Sequence, residues 1–181
     1  MFKIVIAIIV IVVLYKIIKS GHSQPNTNTV PVSLPDFPAV NSAGLELMKT
    51  VEFTLAGVNH ALNGDDPQQI IKPSLRGHWL TLRADPNNKH DTTAVKVLCD
   101  GRYIGWLPDS NISLTERDAK NMIFKRLNHD IEVLARFDST TMIQIGGWNL
   151  DDDDPRMSDY EFTSAKITCA IYNLPNGKYP K

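Results

Sequence analysis

Two six-residue apolar runs, Ala94-Val95-Lys96-Val97-Leu98-Cys99 and Arg102-Tyr103-Ile104-Gly105-Trp106-Leu107, are separated only by Asp100-Gly101. Two-residue hairpin turns need positive φ at both central positions, and Asp-Gly is among the few pairs that accept it. The pair therefore commits the middle of the chain to an antiparallel hairpin, with Pro108 stopping its second strand. A strand pair this short is not stable alone, so further strands must cover it. Val51, Phe53 and Leu55 alternate with Glu52 and Thr54, the period of a half-buried strand ending near Gly57. Trp79–Leu82, Ile131–Phe137 and Ala165–Tyr172 supply three more candidates.

One segment has a different period. Ala119, Met122, Ile123 and Leu127 recur three and four residues apart, and Ser113 and Glu116 have capping-box spacing. This predicts one amphipathic helix over residues 114–128, with Arg117, Lys120 and Arg126 on its other faces. Many short strands with one helix predict a mainly β fold, a small, partly closed OB-like or SH3-like β-barrel. Hydrophobic residues at 43% are enough for a core.

The N-terminus belongs to another solvent. Ile4 to Leu14 are all Ile, Val, Ala or Leu, followed by Lys16 and Lys19. A helix without a polar face suits a bilayer, and a span needs about 20 mostly apolar residues. Residues 1–19 reach that length if Lys3 and Lys16 extend to the headgroups. No small-x-small cleavage site follows, so an uncleaved single-pass anchor is expected rather than a removed signal peptide. The flanking positive charges tie, and orientation is not fixed by them. Residues 20–49 hold Pro25, Pro31, Pro35 and Pro38 among Ser, Thr and Asn, and read as a tether. The domain is expected over residues 50–174, with a short tail at 175–181.

Enzyme signatures are missing: no phosphate-binding Gly-Lys loop, no Gly-x-Ser-x-Gly elbow, no His-Glu-x-x-His pair. No enzymatic activity is expected. His90 beside Asp91 is the one tempting acid–base pair, and adjacent strand residues point to opposite faces. Cys99 and Cys169 sit in apolar runs and read as core residues. His60, His78 and His90 match no metal-binding spacing with Asp91, and Asp151–Asp154 lacks a calcium loop's alternation. Neither a metal nor a cofactor is expected. Asp85-Pro86-Asn87-Asn88 is a strong turn, and Asp91, just before the next strand, is placed to bond back to its own main chain.

Together with its neighbours, this stretch resembles the HIRAN domain family. The residues that carry the resemblance are Leu55-Ala56-Gly57-Val58, then Leu82-x-x-Asp85-Pro86-Asn87-Asn88-x-x-Asp91-x-x-Ala94-Val95-x-Val97, then Gly101-x-x-Ile104-Gly105-x-Leu107-Pro108. The resemblance runs from about Val51 to Phe137, half the chain. The resemblance implies an oligonucleotide-binding-like barrel that captures the 3′ end of single-stranded DNA. The site expected on this basis is Asp91 for the terminal hydroxyl, Asn59, Asn87 and Asn88 for phosphate or sugar, and the rings of His60, His90 and Trp106 for stacking the last bases. Departures lie at Asn59, His60 and Ala61, where the end-binding member has an arginine and two tyrosines, and at His90, where it has a tyrosine. Residues 50–138 hold eleven Lys and Arg against twelve Asp and Glu, so net charge draws no phosphate unless it segregates by face.

The sequence therefore supports a membrane-anchored, cytoplasmic-facing, non-catalytic module for single-stranded nucleic acid. The alternative is a membrane-tethered protein-interaction module that presents residues 139–162, with Trp148 and Tyr160, as a partner-binding loop.

Overall fold

The chain is described by a computed structural model over residues 34–145 and 160–179. The anchor expected at residues 1–19, Trp148 and Asp151–Asp154 lie outside these residues. Among the described residues no helix is long and apolar enough to cross a membrane.

Among the described residues six strands form one antiparallel sheet: β1 (Leu47–Thr54), β2 (Trp79–Asp85), β3 (Ala94–Cys99), β4 (Arg102–Trp106), β5 (Leu134–Ile145) and β6 (Tyr160–Tyr172). Their order across the sheet is β1-β6-β5-β2-β3-β4. The Asp-Gly hairpin is β3–β4, with φ of 49° at Asp100 and 80° at Gly101. Alternation places Phe53, Leu80, Leu82, Val95, Val97 and Phe137 in one buried cluster with Ile104 and Ile167.

The sheet is not a closed barrel. Its two outer strands meet only just beyond β1, where Ala56 and Trp106 exchange both main-chain hydrogen bonds at 2.9 Å. Closure stops there because β1 ends at Thr54 and Gly57 turns the chain away with φ 68°. Gln68, on the short helix α1 (Pro67–Ile70), braces that turn. Its side-chain amide donates to the Val58 and Thr163 carbonyls at 2.9 and 2.8 Å, and its oxygen accepts from the Thr163 N–H.

Helix α2 (Leu114–Leu127) begins at the expected capping box, Ser113 with Glu116. It packs across β1, β2 and β3. Two side chains expected on its outer faces are buried instead. Lys120 is 1% exposed, and Arg126 is 2% exposed and donates to the Tyr172 carbonyl at 2.9 Å. Long basic side chains can lie along apolar surface when their heads find partners.

The domain starts earlier than Thr50. Residues 34–49, expected in the tether, pack on the sheet. Val40 bridges Glu46, the Tyr172 hydroxyl donates to the Pro38 carbonyl at 3.0 Å, and Arg136 donates to the Pro35 carbonyl. Phe37 meets Trp79 edge-on at 5.4 Å. The prolines here fix extended backbone whose carbonyls serve as acceptors. The expected tail also packs, with the Tyr179 ring 4.9 Å from His129. Of residues 139–162, expected as a partner-binding loop, the described ones (139–145 and 160–162) are strand, since β5 and β6 pair from Leu134–Ala170 to Ile145–Tyr160. Residues 146–159 lie outside the description.

Candidate nucleic-acid interface

Trp106, at the end of β4, is held from several sides. Its main chain is paired to Ala56 and its ring lies 5.8 Å from Tyr103, whose hydroxyl donates to the Gly57 carbonyl at 3.1 Å. Burial pushes the Tyr103 hydroxyl up to about 12, so it remains a donor at physiological pH. A side chain at Gly57 would stand 2.9 Å from Trp106 Cδ1, and one at Gly105 would stand 3.0 Å from the Ala56 carbonyl. Both positions have positive φ, so glycine serves backbone and space together.

An irregularity in the hairpin decides what Trp106 faces. Cys99 pairs with Arg102 and Leu98 with Tyr103, but Val97 pairs with Gly105. The extra residue, Ile104, is a bulge that brings Lys96 opposite Trp106. The Lys96 ammonium lies 5.0 Å from the Trp106 ring centroid. On β2, Arg83 is the partner of Lys96. Cross-strand partners share a face, so Arg83, Lys96, Trp106 and Ala56 form a row across the sheet.

The row ends at a groove of about 370 Å³ formed by Thr54–Gly57, Pro108, Ser110–Ile112, Ile143 and Phe162. Its acidic group, Glu116, accepts from the Ser113 N–H and hydroxyl at 2.8 and 2.6 Å. A groove of about 490 Å³ lined by Leu82, Arg83 and Leu127 also carries Asp130 and Glu132, whose carboxylates oppose phosphate at the Arg83 end of the row.

Of the expected site residues, Trp106 lies beside the turn that carries Asn59 and His60, both exposed. The His60 N–H donates to the Gly57 carbonyl at 3.3 Å. Asn87 and His90 are exposed on the β2–β3 loop. Asn88 is used within that loop, where its side-chain oxygen accepts from the N–H groups of His90 and Asp91 at 3.0 and 3.2 Å.

Asp91 is engaged by its own domain. Its Oδ1 accepts from the Thr93 N–H and hydroxyl, both at 2.8 Å, and its Oδ2 accepts from Lys120 Nζ at 2.6 Å. Partial burial works to raise the carboxyl, but the Lys120 and Thr93 hydrogen bonds outweigh it and hold it below the usual carboxylate range. Lys120 also reaches Asp109 at 3.0 Å, so one buried ammonium ties the β2–β3 loop to the segment after β4. Three of roughly four acceptor positions on the Asp91 carboxylate are occupied. A terminal hydroxyl would have to compete with a buried ammonium, so Asp91 reads as a structural latch.

Sequence reasoning missed Arg83, Lys96, Tyr103 and Lys120. Arg83 and Lys96 share an outward strand face, a signal the strand periods contained once the register was known. Asp65 was also missed. It accepts from the Tyr103 N–H at 2.9 Å and pairs with Arg102, and these bonds hold its carboxyl below the ordinary range.

No protein-family model matches the chain, and no curated protein matches it. Among solved structures, a crystal structure of the HIRAN domain of human HLTF matches 76% of this chain and 86% of that one. The identity is 13% and the TM-score 0.42.

Proposed function

We propose that the chain is a non-catalytic, HIRAN-like module that binds single-stranded nucleic acid along the Arg83–Lys96–Trp106 row. The observation that carries this reading is a braced indole with the Lys96 ammonium over its ring and Arg83 one strand further along the same row, ending at an open groove. Base stacking on an aromatic ring is worth about 1–3 kcal/mol. An exposed cation–π contact is worth about 0.5–1 kcal/mol. A base therefore displaces the Lys96 ammonium from the indole, and the freed ammonium pairs with the adjacent phosphate. The groove takes the next sugar or base against Phe162.

Charge sets the strength. Asp91, Asp109 and Asp138 are each paired with a cation of the domain, which leaves Arg83 and Lys96 as the positive part of this face. Asp85 lies two residues beyond Arg83 on the same side of β2, so binding is weak. The run Ile4–Leu14 supports membrane anchoring, and single-stranded nucleic acid as ligand supports a cytoplasmic domain.

The test is fluorescence anisotropy of labelled oligonucleotides with the full chain in detergent. With two phosphate contacts, log K falls against log salt with a slope of about −1.4. Oligonucleotides ending in a 3′-hydroxyl and a 3′-phosphate bind equally, because Asp91 is engaged elsewhere. A preference for the 3′-hydroxyl of tenfold or more would return Asp91 to the site. Absence of binding would remove the nucleic-acid reading and favour the protein-interaction module.

A further inference from the structure

At the end of the sheet where the β3–β4 turn lies, three donors of different chemistry converge. A ring nitrogen of His78, Cys99 Sγ and a carboxylate oxygen of Asp100 all lie within 4.8 Å of one another. The fold explains the convergence. Thr81 pairs with Leu98, so one step back sets Leu80 beside Cys99 and puts His78 on the same face, one position further out. His78 is fixed through its main chain, its N–H donating to the Leu75 carbonyl and its carbonyl accepting from the Phe137 N–H, each at 2.9 Å. Asp100, in the turn, bends its carboxylate over Cys99 and stands 4.0 Å from the sulfur. This cluster shares no residue with the nucleic-acid row.

We propose that His78, Cys99 and Asp100 form a zinc site. One sulfur, one imidazole nitrogen and one carboxylate oxygen match the mixed, borderline-soft donor preference of Zn²⁺ and do not suit Mg²⁺ or Ca²⁺, which take oxygen shells. Zn–ligand bonds of about 2.0–2.3 Å place tetrahedral donors roughly 3.3–3.7 Å apart. The donors here must close by roughly 1 Å, and the division of burial allows it. Cys99 is 2% exposed and held by the core, whereas His78 and Asp100 are exposed and free to turn toward it. On binding, the Cys99 thiol releases its proton to solvent and the thiolate joins the metal, with no change of oxidation state. Three protein ligands leave a fourth position to water on the exposed side. The ion would tie the start of β2 to the β3–β4 turn.

Co²⁺ is the probe, titrated into the full chain in detergent after reduction and removal of metal. The expected result is saturation at one equivalent, with a near-ultraviolet thiolate-to-cobalt band and visible bands of a tetrahedral ion, all bleached by Zn²⁺. His78→Gln and Asp100→Asn each weaken Co²⁺ binding by at least about tenfold. Both positions are exposed, and Asn tolerates the positive φ at residue 100, so both variants keep the fold. Cys99→Ala abolishes the ultraviolet band, and Cys169→Ala retains it. Lack of a thiolate band at one equivalent, or equal Co²⁺ affinity of the His78→Gln, Asp100→Asn and native chains, would overturn the site.

Discussion

Asp91→Ala lowers the stability of the domain by about 3 kcal/mol. The substitution removes the 2.6 Å partner of an ammonium that is 1% exposed and leaves it with Asp109, whose side chain is 64% exposed. It also removes the acceptor for the Thr93 N–H and hydroxyl, which fixes the entry to β3. Breaking one side of a buried pair costs more than the pair contributes, because the remaining charge stays desolvated. In a domain of this size the loss lowers Tm by roughly 10 °C, and scanning calorimetry or thermal circular dichroism measures it. The pH dependence follows from the sign of the shift. The folded-state carboxyl lies below its unfolded value, so its stabilisation is complete above about pH 4 and is lost as pH falls through the lowered value. Asp91→Asn therefore loses less stability than the native chain as pH falls below about 4. A change under about 0.5 kcal/mol in Asp91→Ala would mean that the latch does not hold the loop.

Gly105→Ala is the second large effect, also about 3 kcal/mol. Gly105 has φ 149°, a region that L-residues avoid, and its position is crowded. An added Cβ would stand 3.0 Å from the Ala56 carbonyl and 3.1 Å from both Leu55 Cβ and Val58 Cγ1. Two of these neighbours are backbone-fixed, so relief requires the Ala56–Trp106 bridge to open. The substitution thus acts on the same contact that braces the indole. Thermal unfolding reads the stability, and a red shift of tryptophan emission reads the loosened ring. Unchanged stability would show that the bridge has slack.

The strands were legible wherever period and turn chemistry agreed. Asp100-Gly101, the alternation around Phe53 and the capping box at Ser113 each placed an element to within a few residues. These are local signals, fixed by sterics within a few residues of chain. Asp91 was legible for the same reason, as a turn former bonding its own main chain. Its partner Lys120 was not, because the two lie 29 residues apart and helical period alone assigns a lysine to the surface. The row on the sheet was hidden by one residue. An unbroken two-residue hairpin would set Lys96 opposite Gly105, and the bulge at Ile104 moves it to Trp106. Residues 34–49 were misassigned because proline content signals extended chain without saying whether a sheet lies beside it. The cluster of His78 with Cys99 and Asp100 was missed because metal templates count spacing along the chain, and these residues meet across a strand pair.

The most direct test of the account is the affinity of a short single-stranded oligonucleotide for the full chain with Trp106 changed to Phe and to Ala. Stacking by Trp106 predicts near-native affinity for Trp106→Phe and a loss of about tenfold for Trp106→Ala, with circular dichroism showing both folded. Native affinity in a folded Trp106→Ala chain, or no measurable affinity in the native one, would contradict it.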